Sequence, residues 1–458
     1  DGTFTVQPML AEKWPLSPDG LKLTFTLRPG LTFHDGSPVT ARDALESFKR
    51  WAGREAAAKE FVATFIEKTE APDERTVVFT FKERVNIDSF LMSLSNPAGF
   101  RPIVVPERIW KVPATEGSKE AIGTGPFKFV SWTPGDRYVL ERWDGYKSRA
   151  EKGSFLAGAK KVYIDRLEGV EIPDHATRVA ALETGEVTFL DEFRPDLAKR
   201  VKANPALALH LIKPGNKLVF IPNNTLPPFN DLRARKAVQL AYPVEKALRA
   251  GAGEPEFWAL CASVFGCGTK WEKAGLAPEG VFNVQNLAKA KDLIKESGLA
   301  GTSIRLMSPE DMPVLPDASL ISRELLTGLG FKVDYQATDW ATVVTRRADP
   351  KLWEVFHTWW DVAAYGINPP RAVLLFKDGW FNKFQDPTGR MGKALQEFLR
   401  ATTPEAQFKA ASLMGQVFWE DVPFLDLGEF FPVMAGRKEL KNYTPYIVPL
   451  FWNVWLER

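Results

Sequence analysis

One local pattern occurs twice in this chain and limits what it can fold into. The first copy runs Lys161-Val-Tyr-Ile-Asp-Arg-Leu-Glu-Gly-Val-Glu-Ile172, then a helical stretch to Leu182 with Gly185 as its stop, then Glu186-Val-Thr-Phe-Leu-Asp191. The second runs Ser303-Ile-Arg-Leu-Met307, then a helix around Ser319 to Leu329 with Gly330, then Phe331-Lys-Val-Asp-Tyr-Gln336. Each reads as a strand, a helix and a second strand, short enough for a right-handed parallel crossover. Two such α/β cores predict two lobes, and two lobes predict a cleft able to close on a small molecule.

Length supports that division, since a chain of 458 residues outgrows a single core. No apolar run approaches the roughly 18–20 residues that span a bilayer. The 59 Lys and Arg against 57 Asp and Glu leave a net charge of +2 with the signs interspersed, so nucleic acid is not an expected partner. Aromatics are abundant, with 15 Trp and 32 Phe. Most of these belong in cores; the rest suit a cleft that meets its ligand by stacking and apolar contact.

The first 60 residues carry hairpin signals. Pro18-Asp-Gly20 marks a turn before the alternating strand Leu21–Leu27. Thr40 with Asp43 predicts a capped helix whose face holds Ala44, Leu45, Phe48 and Trp51. Thr76–Phe81 is a further strand. Ile122-Gly-Thr-Gly-Pro-Phe127 leads into a strand whose partner is Arg137–Arg142, across the turn at 133–136. A strand rather than a helix follows these glycines, which argues against a phosphate loop. Residues 218–224 form an apolar strand, followed by a helix capped by Asp231 that buries Ala234, Ala237, Val238 and Ala241. Residues 424–434 read as a return crossing, and Leu450–Leu456 as a buried strand. The start, Asp1-Gly-Thr-Phe-Thr-Val, reads as the end of a hairpin, and residues upstream of it are expected.

The residues for catalysis are sparse. The four histidines are His34, His175, His210 and His357, and none makes a zinc-protease pair. His34 is expected exposed at a hairpin tip; His357, in a Trp-rich stretch, is the one with a possible site role. No Gly-x-Ser-x-Gly elbow occurs. Acid pairs such as Asp191-Glu192 and Glu420-Asp421 carry little weight among 57 acids. No enzyme activity, cofactor or metal is expected. Cys261 and Cys267 have five residues between them, the wrong spacing for a zinc site. They are either a local disulfide in an oxidising compartment or two reduced thiols.

Several segments resemble one family. Pro8-Met-Leu-Ala-Glu-Lys-Trp14, Asp19-Gly-Leu-Lys-Leu-Thr-Phe-Thr-Leu-Arg28 and Phe33-His-Asp-Gly-Ser-Pro-Val-Thr-Ala-Arg-Asp43 resemble the N-terminal signature of the family 5 solute-binding proteins. These are the dipeptide, oligopeptide and nickel binding proteins of ABC importers. Ile122–Phe127 resembles their second signature and Pro228-Phe-Asn-Asp-Leu-Arg-Ala-Arg-Lys-Ala237 their third, in family order.

The resemblance implies an α/β, two-lobed periplasmic-binding-protein-like fold of type II with an extra subdomain in lobe I. That subdomain would be 1–140, the lobe I core 141–219 with 430–458, and lobe II 220–429. It implies a periplasmic or extracytoplasmic receptor, monomeric, that delivers a peptide-like or related solute to the transmembrane subunits of an ABC permease. The Cys261/Cys267 loop is similar to one shared by the peptide binders.

The ligand-facing loop of lobe II aligns with Trp359-Trp360. Counting back from Asn368-Pro369, the Asp that holds the ligand amine in dipeptide and oligopeptide binders falls on Tyr365, with Asp361 about a turn before it. No Arg near 309–316 matches the one that pairs with a dipeptide carboxylate. Both are departures from the dipeptide-binding pattern. The resemblance thus offers Trp359 or Trp360 as a stacking wall, Tyr365 as a hydroxyl, Asp361 as the contact for an ammonium, and Arg346 for a carboxylate. Phe100 and Arg101 would reach in from a lobe I loop. Alternatives are a receptor for an opine, a sugar derivative or a metal chelate, and a periplasmic hydrolase, which predicts turnover and at least one close nucleophile–base or carboxylate pair.

Overall fold

A computed structural model of the chain describes residues 2–97, 101–372 and 384–457. They form two compact units, Asp1–Ile172 with Lys438–Arg458, and Pro173–Arg437.

In the first unit an antiparallel sheet orders the strands Ala11–Lys13, Lys22–Leu27, Thr76–Phe81 and Ile66–Glu70. Thr76–Phe81 alternates as its sequence dictates, burying Val77, Phe79 and Phe81. The helix Ala41–Ala52 starts at the expected capping box, in which Asp43 N–H donates to Thr40 Oγ1 and Thr40 N–H donates back to Asp43. Its Phe48 packs edge-on against Phe79 at 4.9 Å, and Phe90 meets Phe48, Phe79 and Phe81. Each ring so buried stabilises the unit by about 2–3 kcal/mol.

A second antiparallel sheet joins Phe127–Thr133, Arg137–Arg142 and Arg166–Val170. This overturns the first expected crossover. Arg166–Val170 pairs with Arg137–Arg142, whereas Phe189–Phe193 belongs to another sheet in the other unit. The helix between them, His175–Thr184, does form, and Gly185 stops it in the left-handed region at φ 83°.

Leu450–Leu456 is also not the buried strand its composition suggested. Leu450 and Val454 are buried, but strand structure is confined to Trp455–Leu456, which are exposed. His34 is half-buried rather than exposed. Gly123 N–H donates to its Nδ1 (3.2 Å), so Nε2 carries the proton and donates to Gly125 O (3.1 Å). One imidazole thus ties the first signature segment to the second.

The second unit is built on a mixed six-stranded sheet. Its order is Trp258–Ala259, Leu425–Phe430, Asn216–Pro222, Val355–Asp361, Ser303–Pro309, Lys332–Thr338. Ser303–Pro309 and Lys332–Thr338 are parallel neighbours connected through the helix Leu315–Gly328, so the second expected crossover exists. Asn216–Pro222 is buried at every residue, as a central strand covered on both faces must be. The helix Leu232–Ala241, capped by Asp231, buries Ala234, Ala237, Val238 and Ala241. A smaller antiparallel sheet in the same unit orders Phe189–Phe193, Val433–Arg437 and Leu207–Leu211.

Candidate functional site

The strand Val355–Asp361 runs antiparallel to Asn216–Pro222, with Asp361 opposite Asn216 and Trp359 opposite Leu218. Alternation puts Trp359 and Asp361 on one face and Trp360 on the other. Asn216, itself 2% exposed, joins the first two. In the amide orientation that satisfies both neighbours, its nitrogen donates to Asp361 Oδ1 (2.9 Å) and its oxygen accepts from Trp359 Nε1 (3.1 Å). Trp359 also meets Phe430 edge-on at 5.5 Å. The indole and the carboxylate are therefore oriented by one buried amide.

A second acid lies within Coulombic reach of Asp361. Where Phe189–Phe193 pairs with Val433–Arg437, Phe193 is opposite Val433 and Leu190 opposite Ala435. Two residues, Asp191 and Glu192, therefore face Met434 alone, which is a β-bulge, a device that re-aims side chains. Burial first, then the charges of Asp191 and Asp361, pushes Glu192 up to about 8, against a smaller opposing pull from Arg178. Asp361 is pushed up to about 6, again by burial. Both residues keep part of their surface exposed, while their carboxylates are recessed and short of water. Such a pair favours either a proton or a cationic group that brings its own hydrogen-bond donors.

The turn after Asp361 has a rigid seat. Residues 362–366 form a wide helical turn carrying Tyr365. A Cβ on Gly366 would lie 2.1 Å from Phe265 O, and one on Gly266 would lie 2.4 Å from Val362 Cγ1. Trp271 Nε1 donates to Ile367 O at 3.0 Å. The supporting loop is closed by the disulfide Cys261–Cys267. Charge pins that loop from below: the fully buried Lys217 Nζ donates to Cys261 O (2.8 Å) and pairs with Asp426 (2.8 Å), while Cys267 N–H donates to Glu429 (2.7 Å). With its sulfurs bonded to each other, the loop offers no thiolate to a metal.

The remaining candidates are scattered. Trp360 is 5% exposed, with its ring 6.1 Å from that of Tyr365. Tyr365 is half-buried beneath the guanidinium of Arg371. Arg346 donates to Gln336 Oε1 (3.3 Å) on the edge strand. Gln336 is level with Met307 and hence Phe356, about 16 Å along the strand from Asp361 at about 3.3 Å per residue. Arg346 and Asp361 are thus not brought together. Arg101 belongs to the first unit, where its Nη1 donates to the carbonyls of Asn96 and Pro97. Phe100 lies outside the described residues.

His357 proves to be a core residue. It is fully buried, its Nδ1–H donates to Val219 O (3.1 Å), and its Nε2 accepts from Ser322 Oγ (2.7 Å), which also contacts Tyr242 Oη (2.9 Å). Burial pushes the imidazole down to about 3. This pair has nucleophile–base spacing, but no substrate can reach it.

Asn216 escaped the sequence reading, and Glu192 entered it only within an acid pair that was given little weight. An acid dipeptide just after the apolar run Val187–Leu190 was the available signal for Glu192; Asn216 had none.

Comparison with known proteins agrees with this architecture. A family model described as bacterial extracellular solute-binding proteins, family 5 Middle, matches residues 5–380. A probable peptide ABC transporter periplasmic-binding protein of Sinorhizobium fredii is 31% identical, covering 99% of this chain and 86% of the relative. Among solved structures, the Helicobacter pylori periplasmic binding protein DppA in complex with the peptide STSA has a TM-score of 0.82 at 21% identity, covering 100% of this chain and 90% of that one. The periplasmic binding protein AgaA of A. tumefaciens R10 in complex with agropinic acid also has a TM-score of 0.82 at 21% identity, covering 98% and 90%.

Proposed function

This chain belongs to the bacterial extracellular solute-binding proteins of family 5, substrate-binding components of ABC importers, and we propose that it captures a peptide-like solute by its free amino group. The observation that carries this is the recessed Asp361, oriented by Asn216 beside Trp359, with Glu192 close enough to raise the local demand for positive charge. An ammonium supplies three N–H donors and the positive charge that the two carboxylates lack. Trp359 forms the apolar wall, and the Tyr365 hydroxyl offers a further polar contact. Nothing in this constellation activates a nucleophile, and the one Ser–His pair described above is sealed in the core. In this reading the protein holds its solute and releases it unaltered, working as a monomer that docks on permease subunits. The division into lobe I (1–219 and 430–458) and lobe II (220–429) belongs to the same proposal.

Thermal shift tests the amine contact. Di- and oligopeptides with free amino termini should raise the unfolding midpoint, since a ligand at 100 times its Kd stabilises by about 2.7 kcal/mol. Their N-acetylated counterparts should not, and D361N should lose the response. An equal response to acetylated peptides, or an undiminished one in D361N, would remove Asp361 as the anchor.

A further inference from the structure

The first unit gathers several cations around Lys160. Lys160 holds its ammonium 4.3 Å over the indole of Trp452. The chain around it is clamped on both sides. Lys160 N–H donates to Ser148 Oγ (2.9 Å), Asn453 Nδ2 donates to Ala159 O (2.8 Å), and Lys161 N–H donates to Asn453 Oδ1 (2.8 Å). Trp452 Nε1 donates to Phe155 O (2.9 Å), and Phe155 packs on Tyr446 at 4.7 Å. The ammonium is thus carried on a fixed base, not on a free surface stem.

The charged neighbours of Lys160 are guanidinium groups. Arg101 and Arg28 both lie within Coulombic range of it, and Arg101 is also within range of Tyr446. Backbone carbonyls hold both arginines: Asn96 and Pro97 accept from Arg101, and Met9 and Lys147 accept from Arg28. Carbonyls orient a guanidinium without neutralising it. Arg149 shares the Met9 carbonyl but pairs with Glu151 at 2.6 Å, so the one carboxylate in the group is already engaged. The other titratable neighbours, Tyr146 and Tyr446, are kept protonated by burial. Among the described residues, Lys160 and Arg101 therefore have no carboxylate partner, while Arg28 shares the field of Glu151 with Arg149.

We propose that Lys160 and Arg101, with Trp452 and Tyr446 as walls, form a binding site for an oxyanion: a carboxylate, or a tetrahedral group such as sulfate or phosphate. An anion placed there gains the positive charges of Lys160 and Arg101, fixed donors and partial exclusion of water, all of which strengthen charge-assisted hydrogen bonds. The site stands on residues of the first unit alone and does not depend on Asp361 taking an amine. Burial, with Arg101 and Arg28 beside it, pushes the Lys160 ammonium down to about 8. Its charge is lost as pH rises from 7 to 9, and anion affinity falls with it.

Calorimetric titration of the whole chain with sodium succinate and with sodium sulfate, at constant ionic strength in chloride, tests the site and separates the two chemistries. Saturable binding of at least one salt at pH 7 is expected, weakened at least fivefold in K160M, in R101M, and in the unmodified protein at pH 9. K160R should keep the binding and lose the weakening at pH 9. D361N should bind as the unmodified protein does, which separates this site from the amine contact. Binding of neither salt, or equal binding by K160M, R101M and the unmodified protein, overturns the proposal. Unfolding in chloride checks that the variants fold; if K160M or R101M does not, the pH comparison and K160R carry the decision.

Discussion

A carboxylate deprived of water keeps a proton unless a cation takes its place, and this governs how Asp361 and Glu192 should behave. Both are protonated more readily in the folded chain, Asp361 near pH 6 and Glu192 near pH 8, than in an unfolded one. A raised folded value means that the native state binds more protons between about pH 4 and those values. The stability they contribute is therefore complete at about pH 4 and is lost as pH rises to about 8. Denaturant midpoints measured from pH 4.5 to 8.5 should show this fall, and D361N and E192Q should each flatten it. An ammonium ligand reverses the preference by favouring the ionised forms. Affinity for a free-amine peptide should rise over the same interval, by up to about tenfold per pH unit where one proton is displaced. A flat affinity profile would mean that neither carboxylate touches the amine. Asp361 was legible because it stands beside a Trp pair at the end of a strand. Glu192 and Asn216 were not, because a bulge and a strand register bring them to it, and neither is visible in local spacing.

The loop closed by Cys261–Cys267 forms the floor for the turn that follows Asp361, through Phe265 against Gly366, Gly266 against Val362, and Trp271 on Ile367. Replacing both cysteines by serine should cost about 2 kcal/mol, the loop-closure entropy of so short a ring. It should also weaken the amine ligand while the six-stranded sheet persists; circular dichroism and a ligand titration on the double variant separate the two effects. Unchanged affinity would confine the disulfide to stability. Elements differed in how readable they were for a physical reason. Helix starts at Thr40 and Asp231 and the Gly185 stop are local chemistry, and they appear where the sequence puts them. Ser303–Pro309 and Lys332–Thr338 pair as expected because the helix between them returns the chain to the same sheet. Arg166–Val170 and Phe189–Phe193 have the same local pattern, yet they pair with Arg137–Arg142 and Val433–Arg437. Alternation says that a segment is a strand; only non-local partners decide which sheet it joins.

For the molecule as a whole, the claim is custody without chemistry. A net charge of +2 gives no long-range field for a polyanion, so recognition rests on a few recessed groups. The family membership, legible in signature segments spread from Pro8 to Ala237, sets the role of an importer's receptor; the Asp361 constellation suggests which end of the solute is held. Native mass spectrometry of the protein mixed with paired peptides, each present with a free and an acetylated amino terminus, tests that claim most directly. Complexes should form with the free-amine members only, and every released peptide should be recovered at its original mass. Equal retention of the acetylated partners, or peptides recovered shortened or otherwise changed, would contradict it.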